Sequence, residues 1–331
     1  MRYDVVSFGE TMLRLSPPPN IRLEESTTLN MFVAGTESNL LACLARLGRQ
    51  CAWISVLPAT APGRKIAGEL RRQGVDVSHV VWADATARVG TYYAEEAASP
   101  LGVQVQYDRA HSAVALIDPD AVDLTLIENA HLLHLTGITP ALSDGARETW
   151  RRMLTHAQEH NVPISFDINY RAKLWSPQEA AAGIEEACRA ATLLFCTRED
   201  AAEIWGFSGS AETILRQMAR RFGADHPKQT LILTLGGEGS AQLHEGTFTH
   251  VPVFPSAGTS RFGSGDAFAA GYLHAYLSET QGTAAGNAFS AHPLTCGNAV
   301  AALKRCIPGD IALVTPEEVQ TVLRGAAGRF R

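Results

Sequence analysis

Apolar runs of strand length alternate along this chain with helical patterns, and no other feature constrains its fold as tightly. Val5-Val6-Ser7-Phe8 and the runs at 52–56, 131–135, 163–166, 193–195 and 231–233 are short and rich in branched or aromatic residues. Between them, 38–47, 62–73, 144–159, 177–190 and 211–222 repeat apolar residues at helical spacing. This rhythm predicts the α/β class, a mainly parallel central sheet with helices on both faces, because each crossover helix must pack against the sheet. Ligands of such sheets bind beyond the carboxyl ends of the strands, so chemistry is expected in strand-to-helix loops. Two stretches break the rhythm, 11–31 and 89–111, where Leu13, Leu15, Tyr92, Val103, Val105 and Tyr107 alternate with no helix between them. They are expected to form a small β-sheet lid, leaving 1–10, 32–88 and 112–331 to one α/β body. The last third carries helical patterns at 265–277, 298–304 and 316–323, and no linker divides the chain.

Charge and composition narrow the function. With 28 basic and 34 acidic residues the net charge is −6, which argues against nucleic acid as a partner. Apolar residues at 46% and charged residues at 19% give the balance of a globular protein. Met1 to Val6 lacks the basic segment and apolar core of an export signal, and no run reaches the ~18 to 20 apolar residues of a membrane helix. A soluble, cytoplasmic protein without a membrane partner is expected. Six cysteines lie scattered with no C-x-x-C pair, as expected of free thiols. His131 and His134 stand three apart on a strand and point to opposite faces, so they are not expected to share a metal.

Four loops carry chemistry. In Gly258-Thr259-Ser260-Arg261-Phe262-Gly263-Ser264-Gly265-Asp266, glycines open a helix whose N–H groups and dipole suit a phosphoryl group. Asp266 is either a first-turn cap or a carboxylate placed to accept a hydroxyl proton. Ala34-Gly35-Thr36-Glu37-Ser38-Asn39 opens another helix and by itself is an ordinary cap. Phe166 to Trp175 runs from a strand into a polar loop with Arg171, either a solvated loop or a bidentate partner for phosphate or carboxylate. Thr234-Leu235-Gly236-Gly237-Glu238-Gly239 follows a strand and reads first as a hairpin turn. No G-x-G-x-x-G follows the first strand, where Phe8-Gly9-Glu10 stands, so a nucleotide-binding dehydrogenase lacks support.

Together, 34–48 and 258–271 resemble the two signatures of the PfkB/ribokinase family of small-molecule kinases. Gly9 to Pro18, Tyr107 to Ala113, Asp167 to Trp175 and Ile307-Pro308-Gly309-Asp310 are similar to its 2-keto-3-deoxygluconate kinase branch. The resemblance implies a large α/β domain with a β-sheet lid, ATP and Mg²⁺, and transfer of the γ-phosphoryl to a primary hydroxyl of a sugar acid, 2-keto-3-deoxygluconate giving its 6-phosphate. It makes Asp266 the base, with the amides of Gly263, Ser264 and Gly265 stabilising the transferred group. It sets Gly35, Asn39, Tyr92, Tyr107, Arg109 and Arg171 around the acceptor. Asn169 and Arg171 fall near the ATP phosphates, Thr234, Gly236 and Gly239 along the nucleotide, and Asn298 near adenine. A homodimer joined through the lids is also implied. Arg109 is the first choice for the acid end of the acceptor, the plain alternative being a salt bridge with Asp108 or another lid acid.

Three segments depart from the family pattern. Ser260-Arg261-Phe262 replaces an Asp and Thr segment associated with a monovalent cation. Thr60 stands in a turn that usually holds an acid. Thr197 and Asp200 replace the Asn and Glu that order the metal's waters, leaving Asp200 or Glu199 to act through water. Beside the sugar-acid kinase stand a neutral ketose kinase acting on fructose and, because of these altered positions, a catalytically weak sugar- or nucleotide-binding protein.

Overall fold

The computed structural model describes residues 2–96, 102–223, 228–258, 260–281 and 291–325; Thr259 of the glycine loop lies outside them. The elements run β1 (Tyr3–Phe8), β2 (Met12–Ser16), β3 (Asn30–Ala34), α1 (Thr36–Arg46), β4 (Cys51–Pro58), α2 (Ala61–Arg72), β5 (Val80–Ala83), β6 (Thr91–Glu96) and β7 (Val103–Asp108). They continue with α3 (Thr125–Glu128), β8 (Ala130–Thr136), α4 (Asp144–Glu159), β9 (Ile164–Asp167), α5 (Pro177–Ala190), β10 (Leu193–Thr197), α6 (Arg198–Trp205), α7 (Ala211–Phe222) and β11 (Thr230–Thr234). The last are β12 (Ser240–His244), β13 (Thr247–Val251), α8 (Ser264–Gln281), α9 (Pro293–Arg305) and α10 (Pro316–Leu323).

The nine-stranded sheet has the order β13-β12-β11-β10-β9-β8-β1-β4-β5, parallel from β11 to β5 with an antiparallel hairpin at the far edge. Adjacent residues along its strands feed opposite cores: Val6, Leu133 and Phe166 join the layer under α4, α5 and α7, while Val5, Leu132 and Phe195 join the layer with α1, α8 and α9. That two-sided burial explains why these strands read as unbroken apolar runs. The chain begins at β1, moves outward to β4 and β5, then returns beside β1 as β8. The order therefore reverses between β1 and β8, and a crevice opens beyond their carboxyl ends.

The stretches that broke the rhythm form a second sheet of order β3-β2-β6-β7, with Leu13 level with Val33 on one side and Thr91 on the other. Met12, Ala34, Tyr92 and Ala94 make its small core, against which Val105, Tyr107 and Phe262 pack. β3 runs to Ala34 and passes directly into α1. Buried ion pairs tie this lid to the body, among them that of Arg14 with Asp310. Arg14 lies between the rings of Phe32 and Phe262, 4.3 Å from each centroid, and its Nε donates to Asp310 Oδ2 at 2.8 Å. Tyr92 OH donates to the other Asp310 oxygen at 2.9 Å.

Among the described residues no helix is long and apolar enough to cross a membrane. All six cysteines are free and only Cys306 is exposed. His134 is a core residue whose Nδ1 meets Ser165 Oγ at 2.9 Å, and burial pushes its pKa down to about 3.

Candidate active site

A cleft of about 320 Å³ lies at that strand-order reversal, between the body and the lid. α8 starts at Ser264, whose N–H reaches Arg261 O at 3.4 Å, and the amides of this first turn have no partner within the helix and sit beside Gly263 and Gly265. Gly263 holds a left-handed φ of 71°, and a side chain there would run into the carbonyl of Asp310. The residue that tethers the lid by its carboxylate thus packs against the glycine loop by its backbone. Gly263, Gly265 and Asp266 line the cleft; the Ser264 hydroxyl turns away and donates to Arg261 O at 2.9 Å.

Asp266 is anchored from α1. Asn39 Nδ2 donates to its Oδ2 at 2.7 Å and the Thr36 hydroxyl donates to its Oδ1. Gly35 caps α1 and lines the same cleft, so the second glycine turn aims Thr36 and Asn39 at the carboxylate of the first. Burial pushes the Asp266 carboxyl above its ordinary range, while these hydrogen bonds and the charges of Arg171 and Lys304 pull the other way. It sits in α8's first turn, yet its recorded side-chain bonds run to α1, so capping does not account for it.

Asn169 adopts a left-handed φ of 43°, uncommon for a residue with a side chain and typical of functional sites. Its Nδ2 reaches Thr36 Oγ1 at 3.1 Å and Asp167 Oδ2 at 2.9 Å, while its Oδ1 is buried without a partner. Arg171 also lines the cleft; it spends one hydrogen bond on Tyr170 O and has no carboxylate within ion-pair distance among the described residues. Asp200, fixed at the start of α6 by the Thr197 cap, faces the cleft and accepts from Tyr170 N at 3.3 Å. Glu199 is exposed and does not line it.

The lid contributes Tyr92, Tyr107 and Arg109, the two tyrosine rings 5.4 Å apart. Arg109 is already engaged, its Nε and Nη2 both on Oε2 of buried Glu10. The other oxygen, Oε1, has no partner. Asp108, weighed as the plain alternative partner of Arg109, pairs with Arg88.

Of the residues expected along the nucleotide, Thr234 lines the cleft, but Gly236, Gly239 and Asn298 do not. Gly236–Glu238 is a short turn joining β11 to antiparallel β12, the hairpin that the sequence suggests. Asn298 is buried and spent on structure, donating to Val251 O and Pro252 O and accepting from Ser240. Of the departing positions, Thr60 caps α2 without a side-chain bond, and the Ser260 hydroxyl is buried without a partner.

Three acids of the site had no assigned role in the sequence. Burial raises the carboxyls of Asp167 and Glu37 to about 7, with the charge of Asp266 adding to both. Glu37 accepts from Thr136 and Thr139 at 2.7 and 2.8 Å. Glu10 follows the glycine at the end of β1. Only Asp167 left a signal, a carboxylate closing an apolar parallel strand before a polar loop. Asp167, Asp200 and Asp266 line the cleft from the body with Arg171 among them, and Arg109, Tyr92 and Tyr107 line it from the lid, an arrangement suited to holding a polyphosphate against an anionic polyol.

The pattern that defines the pfkB family carbohydrate kinases matches residues 2–317. The chain is 39% identical over 326 residues to a 2-dehydro-3-deoxygalactonokinase of Haloferax volcanii, covering 98% of each. It is 31% identical over 324 residues to a 2-dehydro-3-deoxygluconokinase of Thermoproteus tenax, covering 97% of this chain and 94% of that one. The crystal structure of 2-dehydro-3-deoxygluconokinase from Thermotoga maritima superposes with a TM-score of 0.83 at 28% identity, covering 97% of this chain and 99% of that one.

Proposed function

This chain belongs to the pfkB family of carbohydrate kinases and is an ATP-dependent sugar phosphotransferase; on that premise we propose that its acceptor is a 2-keto-3-deoxy sugar acid, 2-dehydro-3-deoxygluconate, phosphorylated on the primary 6-hydroxyl. One observation carries the reading: Asp266, held by two side chains of α1, faces an acceptor end furnished with Arg109 and two tyrosines. Asp266 accepts the hydroxyl proton as the oxygen attacks the γ-phosphorus and ADP leaves. The first-turn amides at Gly263, Ser264 and Gly265 face the charge on the transferred group. Gly35 and Asn39 shape the floor beneath the acceptor. Arg109 meets the acid end while sharing its charge with Glu10, and Arg171, with no carboxylate partner of its own, bridges toward the phosphates beside Asn169.

The oxygen donors Asp167 and Asp200 suit a hard cation, and Mg²⁺ bound there supplies neutralisation of phosphate charge. We assign the nucleotide to the β11–β12 hairpin, with Thr234 in contact and Gly236, Gly239 and Asn298 acting through the hairpin's shape. A homodimer joined through the lids belongs to the same reading. Met12 and Leu13 are buried within the lid, whereas Ile21, Leu29, Met31 and Val103 stand exposed on it. Sedimentation at micromolar concentration should give twice 35.5 kDa, and a lone 35.5 kDa species would reject the dimer.

The Haloferax relative favours a second acceptor, the C-4 epimer 2-dehydro-3-deoxygalactonate. Coupled ATP consumption with both epimers and with fructose, followed by phosphorus NMR of the product, tests the proposal. Turnover with an acid and phosphate on a CH₂ carbon is expected. Turnover confined to fructose, or ligand binding without turnover, overturns it.

A further inference from the structure

Away from the cleft, one cluster of side chains has the makings of a metal site. His156 and His160 stand four apart at the carboxyl end of α4, so both rings project from the same helix face. Their centroids lie 4.2 Å apart. Glu128, the last residue of α3, reaches between them, its Oε1 at 3.0 Å from His156 Nε2 and 3.6 Å from His160 Nε2. Ligand atoms of a tetrahedral zinc centre, each about 2.0 to 2.2 Å from the metal, stand roughly 3.3 Å from one another, and the two observed separations bracket that figure. All three ligand atoms fall within 4.8 Å of one another.

The tautomer of His160 also fits. Its Nδ1 lies 2.9 Å from the carbonyl of His156, which can only accept, so Nδ1 carries the proton and the lone pair of the neutral ring is on Nε2. A backbone carbonyl in that position is the usual outer support of a metal-bound histidine. His156 is about one-fifth exposed and the other two about two-fifths, so an ion can reach the site and keep a water as fourth ligand.

We propose that Glu128, His156 and His160 form a surface site for a divalent first-row transition metal, Zn²⁺ being the fitting case for two imidazoles and one carboxylate. The metal's role follows from the topology. α3 leads straight into the start of β8, and α4 ends beside it, so the cluster lies at the amino-terminal edge of the sheet, opposite the cleft. Bound metal clips α3 to α4 and stabilises the fold without taking part in phosphoryl transfer.

The test is calorimetric titration of tag-free, EDTA-stripped full-length protein with ZnCl₂, beside thermal melts. One Zn²⁺ per chain is expected, with Tm rising by about 4 °C at a hundredfold excess over Kd. His156→Ala/His160→Ala should weaken binding roughly tenfold or more and cut the rise in Tm to half or less, and Glu128→Gln should weaken it less. Sugar kinase turnover in Mg²⁺ should be unchanged in both variants. Absence of saturable binding, or equal affinity in the double histidine variant because zinc sits elsewhere, for example on the exposed Cys306 thiol, overturns the proposal.

Discussion

The body wall of the cleft is rich in acids and the lid wall in arginine and tyrosine, and the two are held in different ways. On the body side, Asp266, Asp167 and Asp200 stand at the ends of regular elements: Asp266 accepts from Asn39 of α1, Asp167 accepts from Asn169 just beyond β9, and Asp200 donates its backbone N–H to the Thr197 cap of α6. On the lid side, Tyr92, Tyr107 and Arg109 ride on a four-stranded sheet with a core of only a few residues. That sheet is located by the buried Arg14–Asp310 and Arg109–Glu10 ion pairs. Chemistry needs fixed geometry, whereas acceptor choice needs a surface that can differ without disturbing the reacting groups. We therefore propose that the body carries the reaction and the lid the choice of acceptor.

Breaking the body wall should cost most. Asp266→Asn keeps the side chain's size but removes the proton acceptor, so kcat should fall by roughly 10² to 10⁴ with ATP binding retained. Steady-state kinetics and ATP binding by calorimetry check this. A kcat within a few-fold of the parent would make Asp266 a structural residue and erase the contrast between the walls.

Breaking the tether comes next. Asp310→Asn preserves an acceptor for Tyr92 but leaves the buried Arg14 without its nearest counter-charge. A stability loss of about 3 kcal/mol is expected, with the acceptor KM rising more than the ATP KM. Denaturant melts and kinetics on one preparation read both. Equal rises in the two KM values would mean that the ion pair supports the whole cleft and not the lid.

Glu37 sharpens the comparison through pH. Its carboxyl is raised to about 7, and the unfolded chain restores the ordinary value near 4.5. Between those limits the native state binds more protons than the unfolded state, so this group's contribution makes stability fall as pH rises. Glu37→Gln keeps the oxygen that accepts from Thr136 and Thr139 and removes the titration. The variant should gain up to about 3 kcal/mol relative to the parent on going from pH 4.5 to 8. Parallel stability curves for parent and variant would show that Glu37 is not held in this way.

The two walls also differ in how far the sequence reveals them. Phe195 and Cys196 feed opposite cores, so β10 reads as an apolar run whichever helix covers it, and the parallel sheet was legible for that reason except at its edge strand β5, which is short and half-exposed. The lid strands were legible as alternation, but alternation names no partner; that β2 lies between β3 and β6 comes from tertiary packing. Asp266 stood out because glycines and a helix start surround it. Glu37 and Glu10 did not, since a single acid in a first turn or after a strand looks like any cap or surface charge. The Arg14–Asp310 bond joins residues 296 positions apart, and no local pattern foretells it. Arg109 was legible as a cation on the lid, whereas its engagement with Glu10, 99 positions away, was not.

The most direct test of the division of labour is the ratio of kcat/KM for 2-dehydro-3-deoxygluconate to that for fructose, measured in the parent and in Arg109→Ala. The account predicts that this ratio drops by tens-fold in the variant, the loss of ~2 kcal/mol of charge-assisted binding appearing in the acid's KM while the ATP KM stays near its parent value. An unchanged ratio would contradict it, because the lid would then play no part in recognising the acid.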